Sequence, residues 1–258
     1  MKTYLGLSNK AVCLGPAVLT IGLFDGVHQG HQHLLGRARE VATSRKASLV
    51  VFTFRSLPRV DRNLITTSYH KKVLLEQLGV DILVELRLSR EIKKLSPGDF
   101  LLAVDAMFPL SSWVVGEDVH FGANRSGDRA FLAQYASGDV LVVDPYFRKE
   151  FSSSKVRECI QDGEISRASF LLGRTYSIMA KAASLEELVL TIDGSDLCLP
   201  SVGKWQSLVR LGGDENDIPS RLSISEKKEC RLDLFGKFAL PRILFVEVIP
   251  VRSLDILT

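Results

Sequence analysis

The sequence has few cysteines and no closely spaced pair of them. Its four cysteines, at positions 13, 159, 198 and 230, lie far apart and form no C-x-x-C motif. This spacing argues against both a zinc site and a disulfide framework, and we predict no metal centre built from protein ligands. Low cysteine content without pairing is typical of the reducing cytoplasm, where we expect this protein to act.

Long apolar runs and a strong net charge are also absent. No run approaches the roughly 20 apolar residues of a membrane span, and Gly15 and Pro16 interrupt the N-terminal stretch that could suggest a signal peptide. The 33 basic and 30 acidic residues leave a net charge of +3, and the basic residues are scattered. We therefore predict a soluble protein with neither a nucleic-acid nor a membrane partner, and the oligomeric state stays open.

The first part of the chain alternates between two patterns. The composition, 46% apolar and 24% charged over 258 residues, is that of a globular protein with one large or two modest domains. Short apolar runs typical of strands are separated by segments of helical spacing, which indicates βαβ units and a parallel sheet. The strand-like runs are AVLTIG (17–22), SLVVFTF (48–54), DILVEL (81–86), WVVG (113–116) and DVLVV (139–143).

The pattern changes after Gly173. Five short strand-like runs follow, from TYSIMAKA (175–182) to RILFVEVIPV (242–251), and turn-rich segments such as GGDENDIPS (212–220) separate them. Such a series is typical of a β-barrel or a curled sheet. We therefore predict an α/β domain over residues 1–173 and a smaller β domain over residues 174–258.

Two histidines follow the first predicted strand, in the stretch TIGLFDGVHQGHQHLL (20–35). His28 and His31 fall where the strand ends and a helix begins, and Gly30 lets the backbone approach a ligand closely. Open α/β sheets bind ligands at the carboxyl ends of strands, and the N–H groups at a helix start favour phosphate. An H-x-x-H pair alone also fits surface residues or adventitious metal binding, but this position favours two donors to phosphate oxygens.

The histidine stretch is one of four segments that together resemble a known family. GLFDGVHQGH resembles the G-x-F-D-G-x-H-x-G-H signature of the FMN adenylyltransferase module in bacterial bifunctional riboflavin kinase/FAD synthetases. LITTSYHKKVLLEQLGVD resembles the motif L-T-x-x-x-K-x-x-L-L-x-x-x-G-V-D of that family, and VVGEDVHFGANRSGD and FSSSKVRECIQDGEISRASFLLGR resemble two further motifs in the same order. The resemblance implies a Rossmann-like nucleotidylyltransferase domain with a parallel sheet, followed by a smaller β-barrel-like domain.

The resemblance also implies a reaction, in which FMN and Mg-ATP give FAD and pyrophosphate, with Mg²⁺ as the cofactor. The residues that match the family's catalytic positions are His28, His31 and Arg157. The implied ATP-binding residues are Gly22, Phe24, Asp25, Gly30, Ser153 and Ser154, and the implied flavin-binding residues are Asp118, Phe121, Gly122, Asn124 and Arg125. For Asp25, forming the turn is as good an interpretation as contacting substrate.

The sequence departs from the family motifs near the substrates. Leu23 stands where the family has a polar residue, and FTFRSLPRV (52–60) lacks the acidic residue and the histidine of the corresponding motif. Val119 and His120 replace Phe and Arg. We expect altered contacts around adenine or flavin, with phosphate binding retained.

The second domain lacks the phosphate-binding motif of the family's riboflavin kinase. Residues 179–205 contain neither P-T-A-N nor a paired-glycine loop, and Glu229 is the nearest match to the family's base. A base without a phosphate site cannot run phosphoryl transfer, so we predict that kinase activity is lost. The alternatives are a bifunctional enzyme with a diverged kinase loop, a weakly catalytic flavin-binding protein, and another small-substrate cytidylyl- or adenylyltransferase.

Overall fold

Strands joined mostly by helices make up the chain from the N-terminus to residue 143. In chain order the elements are β1 (Lys2–Leu5), β2 (Ala17–Ile21), α1 (Gln29–Ser44), β3 (Ser48–Phe54), α2 (Ser68–Gln77), β4 (Ile82–Leu86), α3 (Arg90–Lys94), α4 (Pro97–Met107), β5 (Ser111–Gly116), α5 (Arg129–Tyr135) and β6 (Val140–Val143). Every strand predicted from an apolar run in this part is present. The short edge strand β1 was not predicted, because its sequence KTYL carries no apolar run.

The computed structural model describes residues 1–8, 12, 15–55, 63–109, 111–144, 150–182, 189–191, 197–211, 217–226, 230–234 and 243–248. The chain divides into two units. The first unit comprises Met1–Val60 and Lys71–Arg148, and the second unit comprises Asp61–His70 and Lys149–Thr258. Within the described residues, no helix has the length and apolar character needed to cross a lipid bilayer.

The strands of the first unit form one six-stranded sheet in the order β1-β4-β3-β2-β5-β6. All neighbouring strands are parallel. Apolar clusters cover both faces, one containing Leu19 and Trp113 and the other Val18 and Leu35. Burial on both faces explains why the strands read as continuous apolar runs. The predicted Rossmann-like α/β fold is confirmed.

The second unit contains two helices and a barrel. Its elements are α6 (Ser153–Gln161), α7 (Ile165–Leu172), β7 (Ser177–Ala182), β8 (Val189–Thr191), β9 (Gly203–Leu211), β10 (Asp217–Ile224), β11 (Cys230–Leu234) and β12 (Ile243–Val248). The strands pair antiparallel and close into a barrel in the order β10-β11-β8-β7-β12-β9. The predicted smaller β-barrel-like domain is therefore confirmed.

One turn-rich segment of the sequence was assigned wrongly. The stretch GGDENDIPS was predicted as a connection, but β10 begins inside it at Asp217 and pairs with β9 along its whole length. Its residues Ile218, Leu222 and Ile224 are buried. The alternation of buried and exposed residues therefore makes this segment a strand of the barrel, and Pro219, which has no N–H donor, lies just before the pairing with β11 begins at Ser220.

The two units do not coincide with the predicted domains of residues 1–173 and 174–258. The helices α6 and α7 belong to the second unit, since Val156, Ile160 and Leu171 share one apolar core with Ile178 and Val209. The boundary at residue 173 separates the predicted adenylyltransferase domain from the predicted kinase-like domain, and it stays a prediction.

Candidate active site

Strands β2 and β5 part at the carboxyl edge of the parallel sheet. Their pairing runs from Ala17↔Ser111 to Leu19↔Trp113 and stops there, whereas the pairing of β2 with β3 continues to Ile21↔Phe52. The chain passes from β2 to β3 on one side and returns to the other side at β5, so the strand order reverses at this point. Open α/β sheets bind ligands in the crevice outside such a reversal.

Two predicted site segments leave the sheet at this reversal. The histidine turn (residues 22–31) follows β2, and the β5 loop (residues 116–127) follows β5. Because the carboxyl ends of parallel strands share one edge of a sheet, the topology brings both segments to the same edge.

Three residues of the histidine turn have a left-handed backbone, with φ of 47° at Phe24, 77° at Gly26 and 43° at Val27. A left-handed conformation costs a residue with a side chain about 1–2 kcal/mol. The Phe24 and Val27 side chains are fully buried in the cluster that contains Leu35. Burying a side chain of this size stabilises by about 1.5–3 kcal/mol, so packing offsets the strain and holds the turn in one conformation.

His28 caps the N-terminus of helix α1, a position where a small polar residue is usual. Its backbone is extended, and its Nδ1 accepts a hydrogen bond from the backbone N–H of His31 at 3.4 Å. The two imidazole rings stack with their centroids 3.7 Å apart and their planes inclined by 19°. Since Nδ1 is the acceptor, a neutral His28 carries its proton on Nε2 and presents an N–H donor there.

His31 is held neutral. Burial lowers the pKa of its imidazole well below the usual value, and the neighbouring His28 and Lys71 lower it further. Its ring meets the Phe24 ring edge to face at 5.1 Å, and its Nδ1 is buried with no hydrogen-bond partner among the described residues. The turn therefore offers in His31 a neutral imidazole, suited to hydrogen bonding rather than to a fixed positive charge.

Lys71, from helix α2, is a buried cation beside this turn that we did not predict as a site residue. Its Nζ donates to the carbonyl oxygen of Leu23 at 3.2 Å, to Thr53 Oγ1 at 3.1 Å and to the carbonyl oxygen of Phe54 at 2.6 Å. Burial lowers the pKa of Lys71 to about 8, while the charges of Asp25 and Glu85 oppose that shift. The available sequence signal was the lysine of the motif L-T-x-x-x-K, which Lys71 matches.

The β5 loop is closed by a pair of hydrogen bonds. The backbone N–H groups of Phe121 and Gly127 each donate to the other's carbonyl oxygen at 3.0 Å. Phe121 is buried against Phe100, which anchors this end of the loop. Gly122 has φ of 70°, and an added Cβ there would lie 2.8 Å from Pro97, so this position requires glycine.

The tip of the β5 loop presents two strained, exposed residues. Asn124 and Arg125 have φ of 53° and 59°, and both side chains are exposed. Asp118, at the start of the loop, is also exposed. Consecutive left-handed residues with side chains are uncommon away from functional sites. The flavin-binding role of Asp118, Phe121, Gly122, Asn124 and Arg125 stays a prediction.

The remaining predicted phosphate-binding residues lie in the second unit, on helix α6. Ser152 caps this helix through a hydrogen bond from the N–H of Lys155 to its Oγ at 3.2 Å, which places Ser153 and Ser154 in the first helical turn. Arg157 is half-buried, and its Nε donates to the carbonyl oxygen of Asn63 at 2.7 Å. This bond fixes the plane of the guanidinium, and the roles of all three residues stay predictions.

Comparison with known proteins decides the family. Residues 11–157 match the family model for FAD synthetase, and this range includes the histidine turn, Lys71 and the β5 loop. The chain belongs to the FAD synthetase family. The resemblance read from the sequence motifs is thereby confirmed.

Several bacterial relatives of this FAD synthetase family member are named bifunctional riboflavin kinase/FMN adenylyltransferase. The chain is 28% identical over 216 residues to that of Listeria monocytogenes, which is 76% of this chain and 69% of the relative. It is 30% identical over 173 residues to that of Bacillus subtilis, which is 63% of this chain and 55% of the relative. It is 32% identical over 190 residues to that of Escherichia coli K12, which is 68% of this chain and 60% of the relative. The alignments thus span between 55% and 69% of these relatives.

A solved structure shares the fold of the whole chain. The crystal structure of a macrolide-efflux protein from Streptococcus pneumoniae aligns with a TM-score of 0.81 at 21% identity, over 100% of this chain and 93% of that one. At this identity the likeness supports the order of a parallel α/β unit and a barrel, and nothing about activity.

Proposed function

We propose that this chain transfers the adenylyl group of ATP to FMN, giving FAD and pyrophosphate. An oxygen of the FMN phosphate attacks the α-phosphorus of ATP and forms the new P–O bond. The bond from the α-phosphorus to the oxygen that bridges to the β-phosphate breaks, and pyrophosphate leaves with the electron pair. No protein nucleophile is needed, so the protein acts by positioning and by electrostatic stabilisation.

The observation that carries this proposal is the histidine turn at the sheet reversal. Two stacked imidazoles, one of them capping a helix start, lie at an edge where α/β sheets bind phosphates. The lowered pKa of His31 supports a neutral donor from this residue to the oxygens of the α-phosphate, where negative charge grows in the transition state. The buried Nδ1 of His31, without a partner among the described residues, is consistent with a bound ligand or water nearby.

The leaving pyrophosphate requires positive charge, which we assign to helix α6. Ser153 and Ser154 lie in its first turn, where backbone N–H groups and hydroxyls can donate to the β- and γ-phosphates. Arg157 supplies a permanent charge in a fixed orientation through its bond to Asn63. FMN is assigned to the β5 loop, whose exposed Asn124 and Arg125 present polar groups at its tip.

Mg²⁺ enters the proposal with the substrate, as Mg-ATP. Within the described residues, no group of three His, Cys, Asp or Glu side chains is arranged to hold a metal ion. Magnesium in nucleotide sites is often held by one or two carboxylates together with the substrate phosphates, which fits delivery as the nucleotide complex.

For the barrel we propose that riboflavin kinase activity is lost. The family's P-T-A-N motif and paired-glycine loop do not occur in its sequence. Glu229, the nearest match to the kinase base, lies outside the described residues. The relatives named as bifunctional favour the alternative that a diverged kinase persists, and the assay below separates the two.

The test is to incubate the purified full chain with Mg-ATP and either FMN or riboflavin, and to separate the flavins by chromatography. We expect FAD from FMN and no product from riboflavin. Absence of FAD from FMN would contradict adenylyl transfer. Conversion of riboflavin to FMN, abolished by Glu229→Ala, would show that the kinase survives.

A further inference from the structure

Lys71 has no donor left for a substrate. An ammonium group carries three N–H donors, and the three acceptors of Lys71 are the Leu23 carbonyl at 3.2 Å, Thr53 Oγ1 at 3.1 Å and the Phe54 carbonyl at 2.6 Å. The residue is only 5% exposed. A lysine beside a phosphate site would usually be assigned to phosphate, but here every donor is committed to the protein.

The acceptors tie the histidine turn to the end of strand β3. Leu23 immediately precedes Phe24, the first left-handed residue of the turn, while Thr53 and Phe54 end β3. Thr53 Oγ1 also donates to the Leu23 carbonyl at 3.0 Å, so Lys71, Thr53 and Leu23 form a closed triangle. The entry to the turn is therefore fixed by three mutually supporting hydrogen bonds.

The charge of Lys71 acts on the turn as well. Asp25, within the turn, is 2% exposed, and its charge stabilises the ammonium, as does that of the buried Glu85 on β4. The same ammonium opposes protonation of His31, together with His28. Burying an unpaired ammonium would be costly, so the three acceptors within hydrogen-bond distance of it indicate a built arrangement.

We propose that Lys71 is a positioning residue for the histidine turn. Through Leu23 it holds the left-handed residues Phe24, Gly26 and Val27 in their path, and so holds His28 and His31 in the orientation that adenylyl transfer needs, without touching substrate. This inference rests on the proposed function for its kinetic consequence, but its geometric part does not depend on turnover.

The first experiment compares Lys71→Met with Lys72→Met in the full chain. Lys72 is the next residue of the same helix and is half-buried, so it controls for loss of a lysine from α2. We expect Lys71→Met to lower kcat for FAD formation by about 10- to 100-fold, as for a misplaced catalytic group. The KM for ATP should change less than about threefold, because no ATP contact is removed. Lys72→Met should leave both constants unchanged.

A second pair keeps the proposal testable if Lys71→Met does not fold. Thr53→Val removes the hydroxyl of the triangle at nearly constant volume, and Thr53→Ser retains it. We expect Thr53→Val to lower kcat by roughly 5- to 10-fold, the effect of one hydrogen bond, and Thr53→Ser to recover most of that loss. If Lys71 and Thr53 act through one network, Lys71→Met/Thr53→Val should lose little more than Lys71→Met alone.

Imidazole nitrogen NMR tests the geometry independently of activity. In the unsubstituted chain, His28 should show a single Nε2–H tautomer, because its Nδ1 accepts from the His31 N–H. In Lys71→Met the ring should show a mixture of tautomers, and in Lys72→Met it should not. If no FAD forms but this tautomer depends on Lys71, the proposed function fails and the positioning role stands.

Three results would overturn the inference. One is a folded Lys71→Met chain with the kcat of Lys72→Met. Another is a raised KM for ATP at unchanged kcat, which would mean that Lys71 contacts the nucleotide. The third is a His28 tautomer that is the same in Lys71→Met and in the unsubstituted chain.

Discussion

The histidine turn and the β5 loop leave the same edge of the sheet, and both contain left-handed residues, but they are held in different ways. In the turn, the left-handed Phe24 and Val27 are buried anchors, and Lys71 bonds the residue before them. In the loop, the left-handed Asn124 and Arg125 expose their side chains at the tip, and the backbone is held by hydrogen bonds alone, such as that from the Arg125 N–H to the carbonyl oxygen of Gly122 at 3.1 Å.

This difference shows two uses of backbone strain. In the turn, the packing of buried side chains holds the strained backbone in one conformation. Such rigidity suits groups that must stabilise a transition state in one orientation. The exposed tip of the loop has no packing to offset its strain, although asparagine tolerates a left-handed backbone better than most residues. Such a tip suits a contact made when substrate binds.

The largest effect should come from removing an anchor of the turn. Phe24→Ala deletes a fully buried ring and with it the packing that offsets the left-handed backbone. We expect the free energy of unfolding to fall by about 3–5 kcal/mol, measured by urea denaturation. The control is Leu23→Ala, the adjacent residue, whose side chain is 40% exposed and whose removal should cost no more than about 0.5 kcal/mol. Equal losses in both variants would contradict the anchoring role.

Next come the histidines themselves. His28→Ala or His31→Ala should lower kcat for FAD formation by roughly 10- to 1000-fold, with a smaller effect on ATP binding, because each donor acts on charge that develops in the transition state. His33→Ala is the matched control, since His33 is exposed on the same helix. Turnover in a His28→Ala/His31→Ala chain equal to that of His33→Ala would remove the histidine turn from the mechanism.

Burial of histidine should also make the protein sensitive to acid. Burial lowers the pKa of His31 well below its usual value of 6.5, and burial with the nearby Arg174 lowers that of His70 to about 3. Below pH 6.5 the unfolded chain therefore binds protons that the folded chain does not. The stabilisation is fully present above pH 6.5 and declines as the pH falls, by up to about 1.4 kcal/mol per pH unit for each histidine.

The measurement is urea denaturation between pH 7.5 and pH 5, where His31→Gln and His70→Gln should each flatten the decline. His31→Gln reports on the turn, and His70→Gln reports on the second unit, where His70 Nε2 lies 3.5 Å from Ser177 Oγ. A decline that neither substitution alters would mean that other groups take up these protons.

The sequence predicted the framework better than the supports of the site. Apolar runs predicted β2 to β6, and the motif spacing placed His28 and His31 at a strand-to-helix turn, because both signals are local. The partners of Lys71 were not predictable, since they come from the ends of two strands that meet only in the sheet. The packing of Phe121 against Phe100 was not predictable either, because only the tertiary structure brings the two rings together, and the flavin-binding role of Phe121 stays a prediction.

The smallest effect should come from the tip of the β5 loop, where two substitutions separate the side chain from the backbone. Asn124→Ala and Asn124→Gly both remove the amide, but glycine adopts φ of 53° freely, whereas alanine pays about 1 kcal/mol there. If the amide contacts flavin, both variants should raise the KM for FMN by about 5- to 10-fold, the effect of one hydrogen bond. ATP binding measured by calorimetry should stay unchanged in both. A KM for FMN that rises only in Asn124→Ala would instead assign the effect to loop conformation. Equal weakening of FMN and ATP binding would point to a general role in folding. In either case the contrast between a rigid turn and a substrate-binding loop would no longer hold.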